Sequence, residues 1–156
     1  MWEVKRIFNE KYRDCDVAHL QDYSSGKYKL GKIDTPIVYS VDCIFRKHPE
    51  RGGRRCDEFI FYNLAEGKTG IDLIEIKDSE TINIDKVRDQ LQGGAKFIEG
   101  FLSKDPATDG QPFDFRPFCI SKGIKPSERA KLIKCKIYID SRSRYIRQVN
   151  FNRTLR

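Results

Sequence analysis

The chain has no uninterrupted apolar stretch long enough to cross a bilayer as a helix. It begins MWEVKRIFNEKY, where charges alternate with apolar residues, so the apolar core of a secretory signal is missing. No Cys-x-x-Cys pair occurs. The five cysteines, at 15, 43, 56, 119 and 135, are odd in number and irregular in spacing. That argues against a disulfide framework and a structural zinc site, and fits reduced thiols in a cytoplasmic protein. Histidine is scarce: His19 and His48 are the two in the chain, and both are read as exposed loop residues. HExxH, a Ser-His-Asp pattern and the phosphate loop GxxxxGK[ST] are all lacking. Internal repeats and low-complexity tracts are absent as well. These gaps remove membrane spans, zinc ribbons, phosphate-loop NTPases and triad hydrolases from consideration.

What is present fits one folded domain, residues 1–156. A charged fraction of 34% is high, but 12% aromatic residues accompany it, which is the composition of a chain that buries a core. The net charge of +7 is uneven. Residues 56–120 hold 13 acidic against 7 basic groups (net −6), whereas residues 121–156 hold 11 basic against 2 acidic (net +9). An acidic centre flanked by basic segments reads either as a solvated basic tail, from about residue 122, or as a polyanion grip around a cation-attracting site.

Periodicity supplies the elements. Val4, Ile7 and Phe8 predict a short amphipathic helix from residue 2 to about 13. Residues 14–35 are polar, carry Ser24-Ser25-Gly26 and Gly31, and read as loop. Three β-rich runs follow: 36–47, 56–62 and 71–77. They are separated by Pro- and Gly-bearing turns short enough for an antiparallel meander. The period then changes. Ile84, Val87, Leu91, Ala95, Ile98 and Leu102 line one face of a helix about five turns long. Gly93-Gly94 in its middle costs about 1 kcal/mol each against alanine, but lets another backbone approach closely. Residues 105–117 read as loop and 118–121 as a short buried strand. The end, KLIKCKIYID and RYIRQVNF, reads as one or two strands with a basic face, or as a helix and then a strand. The sum is an α/β fold with a mixed sheet, the three-strand meander flanked by helices in the order αβββαβ.

On the third of these strands, alternation puts Ile71, Leu73, Glu75 and Lys77 on one face and Asp72, Ile74, Ile76 and Asp78 on the other. Asp57 shares a face with Phe59 and Phe61 on the strand before. If the hairpin brings these faces together, two carboxylates and an ammonium converge in a partly apolar setting. Two close carboxylates repel, and a hard divalent cation, Mg²⁺ or Mn²⁺, is the usual remedy. An adjacent lysine suits hydrolysis of a phosphodiester.

Asp57 followed after 17 residues by Glu75-Ile76-Lys77 resembles the D…(D/E)xK signature of the PD-(D/E)XK nuclease superfamily, the restriction-endonuclease-like enzymes. The element order over residues 1–122 is similar to their core. The resemblance implies a Mg²⁺-dependent nuclease acting on nucleic acid, on DNA rather than RNA, in restriction, phage defence or repair. It implies metal ligation by Asp57, Glu75 and the Ile76 backbone carbonyl, with Lys77 beside the nucleophilic water. It also implies a polar contribution from the following helix, for which Gln90 is best placed. A glutamate of the first helix often completes such sites, and Glu10, ahead of Glu3, is the candidate. Cys56 stands where a proline is common, and Gly94 stands where the QxxxY variant has tyrosine. The alternative is a non-cleaving nucleic-acid-binding module or subunit of the same fold. A homodimer or a larger complex is compatible with the nuclease reading as well.

Arg51, Arg54 and Arg55 precede Asp57 and suit phosphate contact. Lys131, Lys134, Lys136, Arg142 and Arg144 alternate with apolar and tyrosine residues and suit a nucleic-acid backbone, or equally the protected edge of a sheet.

Overall fold

The computed structural model describes residues 2–17, 28–30, 33–49, 52–79, 81–151 and 153–155. Arg51, His19, the Ser24–Gly26 turn signals and Gly31 lie outside them. The helix α1, Glu3–Tyr12, buries Val4, Ile7, Phe8 and Tyr12 along one stripe. The strands β1, Tyr28–Leu30, and β2, Asp34–Ser40, come next, and then a helix α2, Val41–Arg46. The meander continues with β3, Glu58–Asn63, and β4, Thr69–Lys77. The long helix α3, Ile84–Lys104, crosses to β5, Phe113–Ser121. The basic end forms α4, Pro126–Leu132, followed by β6, Lys136–Ile139, β7, Arg142–Tyr145, β8, Arg147–Asn150, and β9, Arg153–Leu155.

The fold is α/β. Its five-stranded mixed sheet has the order β2-β3-β4-β5-β8, antiparallel through β4 and parallel from there on. Phe59, Phe61, Ile71, Leu73 and Phe115 point to one side and meet Phe8 of α1 and Val87, Leu91 and Ile98 of α3. Phe8 is the hub: its ring stacks on Phe61 and meets Tyr39 and Phe101 edge-on. The opposite side packs Ile60, Tyr62, Ile74, Phe118 and Ile120 with Leu155 of β9, which pairs in parallel with β1.

Several elements differ from what periodicity predicts. The first strand ends at Ser40 instead of running to residue 47. The Ser40 hydroxyl accepts from the Cys43 amide and caps α2, whose Val41, Ile44 and Phe45 are buried. Part of the expected 14–35 loop is strand β1. The expected 105–117 loop ends early, because β5 starts at Phe113. Pro117 fits inside that strand because β8 reaches only from Phe118 onward, so the missing amide proton at 117 has no partner to lose. His48 is half-buried rather than exposed, with its ring 3.2 Å from the Tyr12 hydroxyl. Asp72 is fully buried in mid-strand, where Arg116 donates to it from Nε at 2.8 Å and from one terminal amino group at 2.7 Å, and the Tyr62 hydroxyl donates at 3.0 Å. Burial pushes its carboxyl up, and Arg116 works against that.

Cysteine usage also differs from the reading of five reduced thiols. Cys15 and Cys43 form a disulfide that ties the end of α1 to α2, while Cys56, Cys119 and Cys135 are free. Burial pushes the Cys56 thiol well above its ordinary value and Cys119 up to about 12, with the Glu75 carboxylate adding to both. Alkylation of the native protein at pH 8 is therefore expected to modify Cys135 and spare Cys56 and Cys119. Cys15 and Cys43 should react only after reduction, and mass mapping of the labelled peptides checks both expectations.

Candidate functional site

Antiparallel register sets the site. β3 pairs Glu58 with Ile74, so one step further places Asp57 beside Glu75. The ladder ends there. The Asp57 amide donates to the Ile74 carbonyl at 2.8 Å, and the Asp57 carboxylate turns to accept from the Ile76 amide at 2.6 Å. In an extended strand a residue's N–H and C=O leave by the same edge. The Ile76 carbonyl therefore also points to this edge, beyond the last pair of β3.

Glu75 and Lys77 lie on the α3 side of the sheet. Glu75 has no exposed side-chain surface, and Lys77 is 22% exposed. The Lys77 ammonium donates to Glu75 Oε1 and, at 2.9 Å, to Gln90 Oε1 of α3. The Gln90 amide in turn donates to the Arg55 carbonyl at 3.4 Å. One chain of hydrogen bonds thus links the end of β4, the helix and the segment that carries Asp57. Asn83 starts that helix, its side chain accepting from the Lys86 amide.

The segment 52–56 reaches α3 through its two glycines. A Cβ on Gly93 would lie 1.8 Å from the Arg54 carbonyl oxygen, and one on Gly94 would lie 2.4 Å from Cys56 Sγ. The close approach expected at this pair is made by the backbone of the loop before β3 at Gly93, and by Cys56 and the Phe59 ring of β3 at Gly94.

Electrostatically the site is short of positive charge. Burial first and the Asp57 charge second raise the Glu75 carboxyl, against the pull of Lys77 and Lys86, to about 7. Glu75 Oε2 is buried without a hydrogen-bond partner. A buried carboxylate oxygen with its lone pairs unused, beside a second carboxylate and a strand-end carbonyl, is what a divalent cation would satisfy. Among the described residues no group of three or more His, Cys, Asp or Glu comes together. A Mg²⁺ that keeps several waters needs only one or two carboxylates, so Asp57 and Glu75 fit it.

Glu10 and Glu3 both pair with Arg6 on the outer side of α1. The Glu10 carboxylate is thus engaged on α1 itself. Lys86 was missed in the sequence. Its signal was a position one helical turn before Gln90, on the same side of α3.

The basic candidates are mostly engaged within the molecule. Arg54 pairs with Asp89, and Arg55 pairs with Asp42 at 2.9 Å with its guanidinium over Phe45. Arg142 donates to the Phe113 carbonyl and covers that ring, and Arg144 pairs with Asp114 and lies over Phe115. Lys131, Lys134 and Lys136 are exposed. A cleft of about 510 Å³ runs along the outer side of α3, lined by Arg54, Lys96 and Lys104 with Phe45 and Phe97. Asp57 and Glu75 are not among its lining residues. No helix among the described residues is long and apolar enough to cross a membrane. Comparison with family models, with curated proteins and with solved structures finds no match for this chain.

Proposed function

We propose that the chain is a Mg²⁺- or Mn²⁺-dependent nuclease with a restriction-endonuclease-like core, hydrolysing phosphodiesters in nucleic acid, DNA in preference to RNA. The observation that carries this reading is the buried, unpartnered Oε2 of Glu75 beside Asp57, on a carboxylate whose Oε1 accepts from a lysine that α3 holds in place. Asp57, Glu75 and the Ile76 carbonyl would hold the cation, which when bound supplies Lewis-acid activation of water and neutralises phosphate charge. Lys77 orients the attacking water and offsets charge building on the phosphoryl oxygens. Gln90 fixes the Lys77 ammonium and keeps the Asp57 segment in register. Burial of Glu75 excludes bulk water from one side of the site.

Such an activity serves restriction, phage defence or repair, alone, as a homodimer or within a larger complex, and belongs in the cytoplasm. The Cys15–Cys43 bond is the feature that opposes a cytoplasmic setting, because disulfides are uncommon there.

The test combines cleavage with metal binding. Mg²⁺ or Mn²⁺ should raise the melting temperature of the wild type and support cleavage of single- or double-stranded DNA. EDTA, Asp57→Asn and Lys77→Ala should each stop cleavage, and Asp57→Asn should also remove the melting shift. Nucleic-acid binding with no cutting under any metal would leave the non-cleaving module as the reading.

A further inference from the structure

We infer that the outer face of the β6–β7 hairpin is a stacking platform for an unpaired nucleic-acid strand. This extends the nucleic-acid reading above to a second site. The two strands are antiparallel, with Tyr138 opposite Ser143 and Lys136 opposite Tyr145. These four residues share one face. Ile137 and Ile139 are buried on the other. Tyr138 and Tyr145 are therefore diagonal neighbours, about 7–8 Å apart. The two residues are 50% and 56% exposed, more than any other large apolar residue among the described residues. Ile133, at the end of α4, is exposed nearby in sequence.

The hairpin is held firmly. The Gln92 side chain of α3 accepts from the Tyr138 amide at 3.0 Å and donates to its carbonyl at 2.9 Å, and Glu99 accepts from the Asp140 amide at 3.2 Å. The tyrosines thus stand on a rigid base and lose little freedom when something stacks on them. Lys136 lies 4.9 Å from the centre of the Tyr145 ring, and Lys131, near the end of α4, and Lys134, in the turn after it, are exposed. Arg142 and Arg144 are drawn to the inner side by Phe113, Phe115 and Asp114 and contribute anchoring rather than recognition.

Two exposed rings beside lysines, in a segment of net charge +9, fit a polyanion that offers flat faces at intervals. A duplex keeps those faces stacked inside, whereas an unpaired strand can splay them onto tyrosine. An acidic peptide would match the lysines and leave the rings unused.

Binding of a short fluorescent oligothymidylate, measured by anisotropy in EDTA so that no cleavage intervenes, tests this. Wild-type protein should bind it more tightly than a duplex of equal length. Tyr138→Ala and Tyr145→Ala should each weaken binding about tenfold, with melting temperature unchanged, and the two phenylalanine variants should bind like wild type. Lys136→Ala should lower the salt dependence by about 0.7 in log–log slope. Equal binding by the double alanine variant, preference for duplex, or no binding would each overturn the platform. Displacement by polyglutamate that is indifferent to the tyrosines would assign the face to an acidic protein instead. Loss of cleavage with binding intact would sink the nuclease reading and leave the platform standing. Cleavage with tyrosine-independent binding would do the reverse.

Discussion

Glu75→Gln is expected to reduce metal-dependent cleavage on the order of a thousandfold and, at the same time, to make the protein more stable at pH 8. The two effects have one source. Glu75 is buried beside Asp57, and its carboxyl is raised from an ordinary 4.5 to about 7. Below about pH 4.5 the folded and unfolded chains both carry the proton, and burial of the group costs nothing electrostatic. As pH rises to about 7 the unfolded chain releases its proton while the folded chain retains it, so stability falls. Above about pH 7 the penalty is complete, at about 3 kcal/mol. Glutamine has no such proton. The variant should melt higher than wild type at pH 8, with the advantage vanishing towards pH 4.5. Its melting temperature should also be insensitive to Mg²⁺. Denaturant melts across this pH range, with and without metal, give the answer. A variant less stable than wild type at pH 8 would mean that the Lys77 contact outweighs burial and repulsion.

Gly93→Ala should cost about 3 kcal/mol and at least about tenfold in cleavage, although alanine is the better helix former. Helix propensity favours alanine by about 1 kcal/mol. Against it stands a methyl group placed 1.8 Å from the Arg54 carbonyl oxygen. That neighbour is backbone, so no rotamer change relieves the overlap; the 52–56 segment must lift off α3. Asp57 follows that segment directly, and the Gln90 bond to the Arg55 carbonyl is lost as it lifts. Gly100 on the same helix is the control, because nothing lies within 4 Å of a Cβ there. Gly100→Ala should gain about 0.5–1 kcal/mol and leave cleavage unchanged. Chemical denaturation of the two variants separates propensity from contact.

The features that could be read in the chain are those fixed by side-chain period. Alternation along β4 put Glu75 and Lys77 on the side of Leu73, and the 3.6-residue spacing located α3, while Gln90 came from the family resemblance. Where tertiary contacts choose between periods, reading failed. VDCIFR is rich in β-formers, yet Val41, Ile44 and Phe45 also fit one turn of helix, and the Ser40 cap with burial on the core selects that form. The Asp57 side-chain bond to the Ile76 amide is invisible to periodicity because it forms where the ladder stops. The Cys15–Cys43 pair depends on how the end of α1 meets α2, a contact that no local pattern encodes. Lys131, Lys134 and Lys136 could not be told apart in role from Arg142 and Arg144. That depends on which hairpin face meets Phe113 and Phe115.

The disulfide makes residues 15–43 a closed ring within the chain. A protease that cuts once anywhere inside the ring leaves the polypeptide in one covalent piece, with α1 still fastened to α2 and the core. Such a nicked protein would migrate intact in a non-reducing gel and fall into two fragments once a thiol is added. The first helix, which carries the Phe8 hub, is thereby insured against a break in the segment that leads away from it.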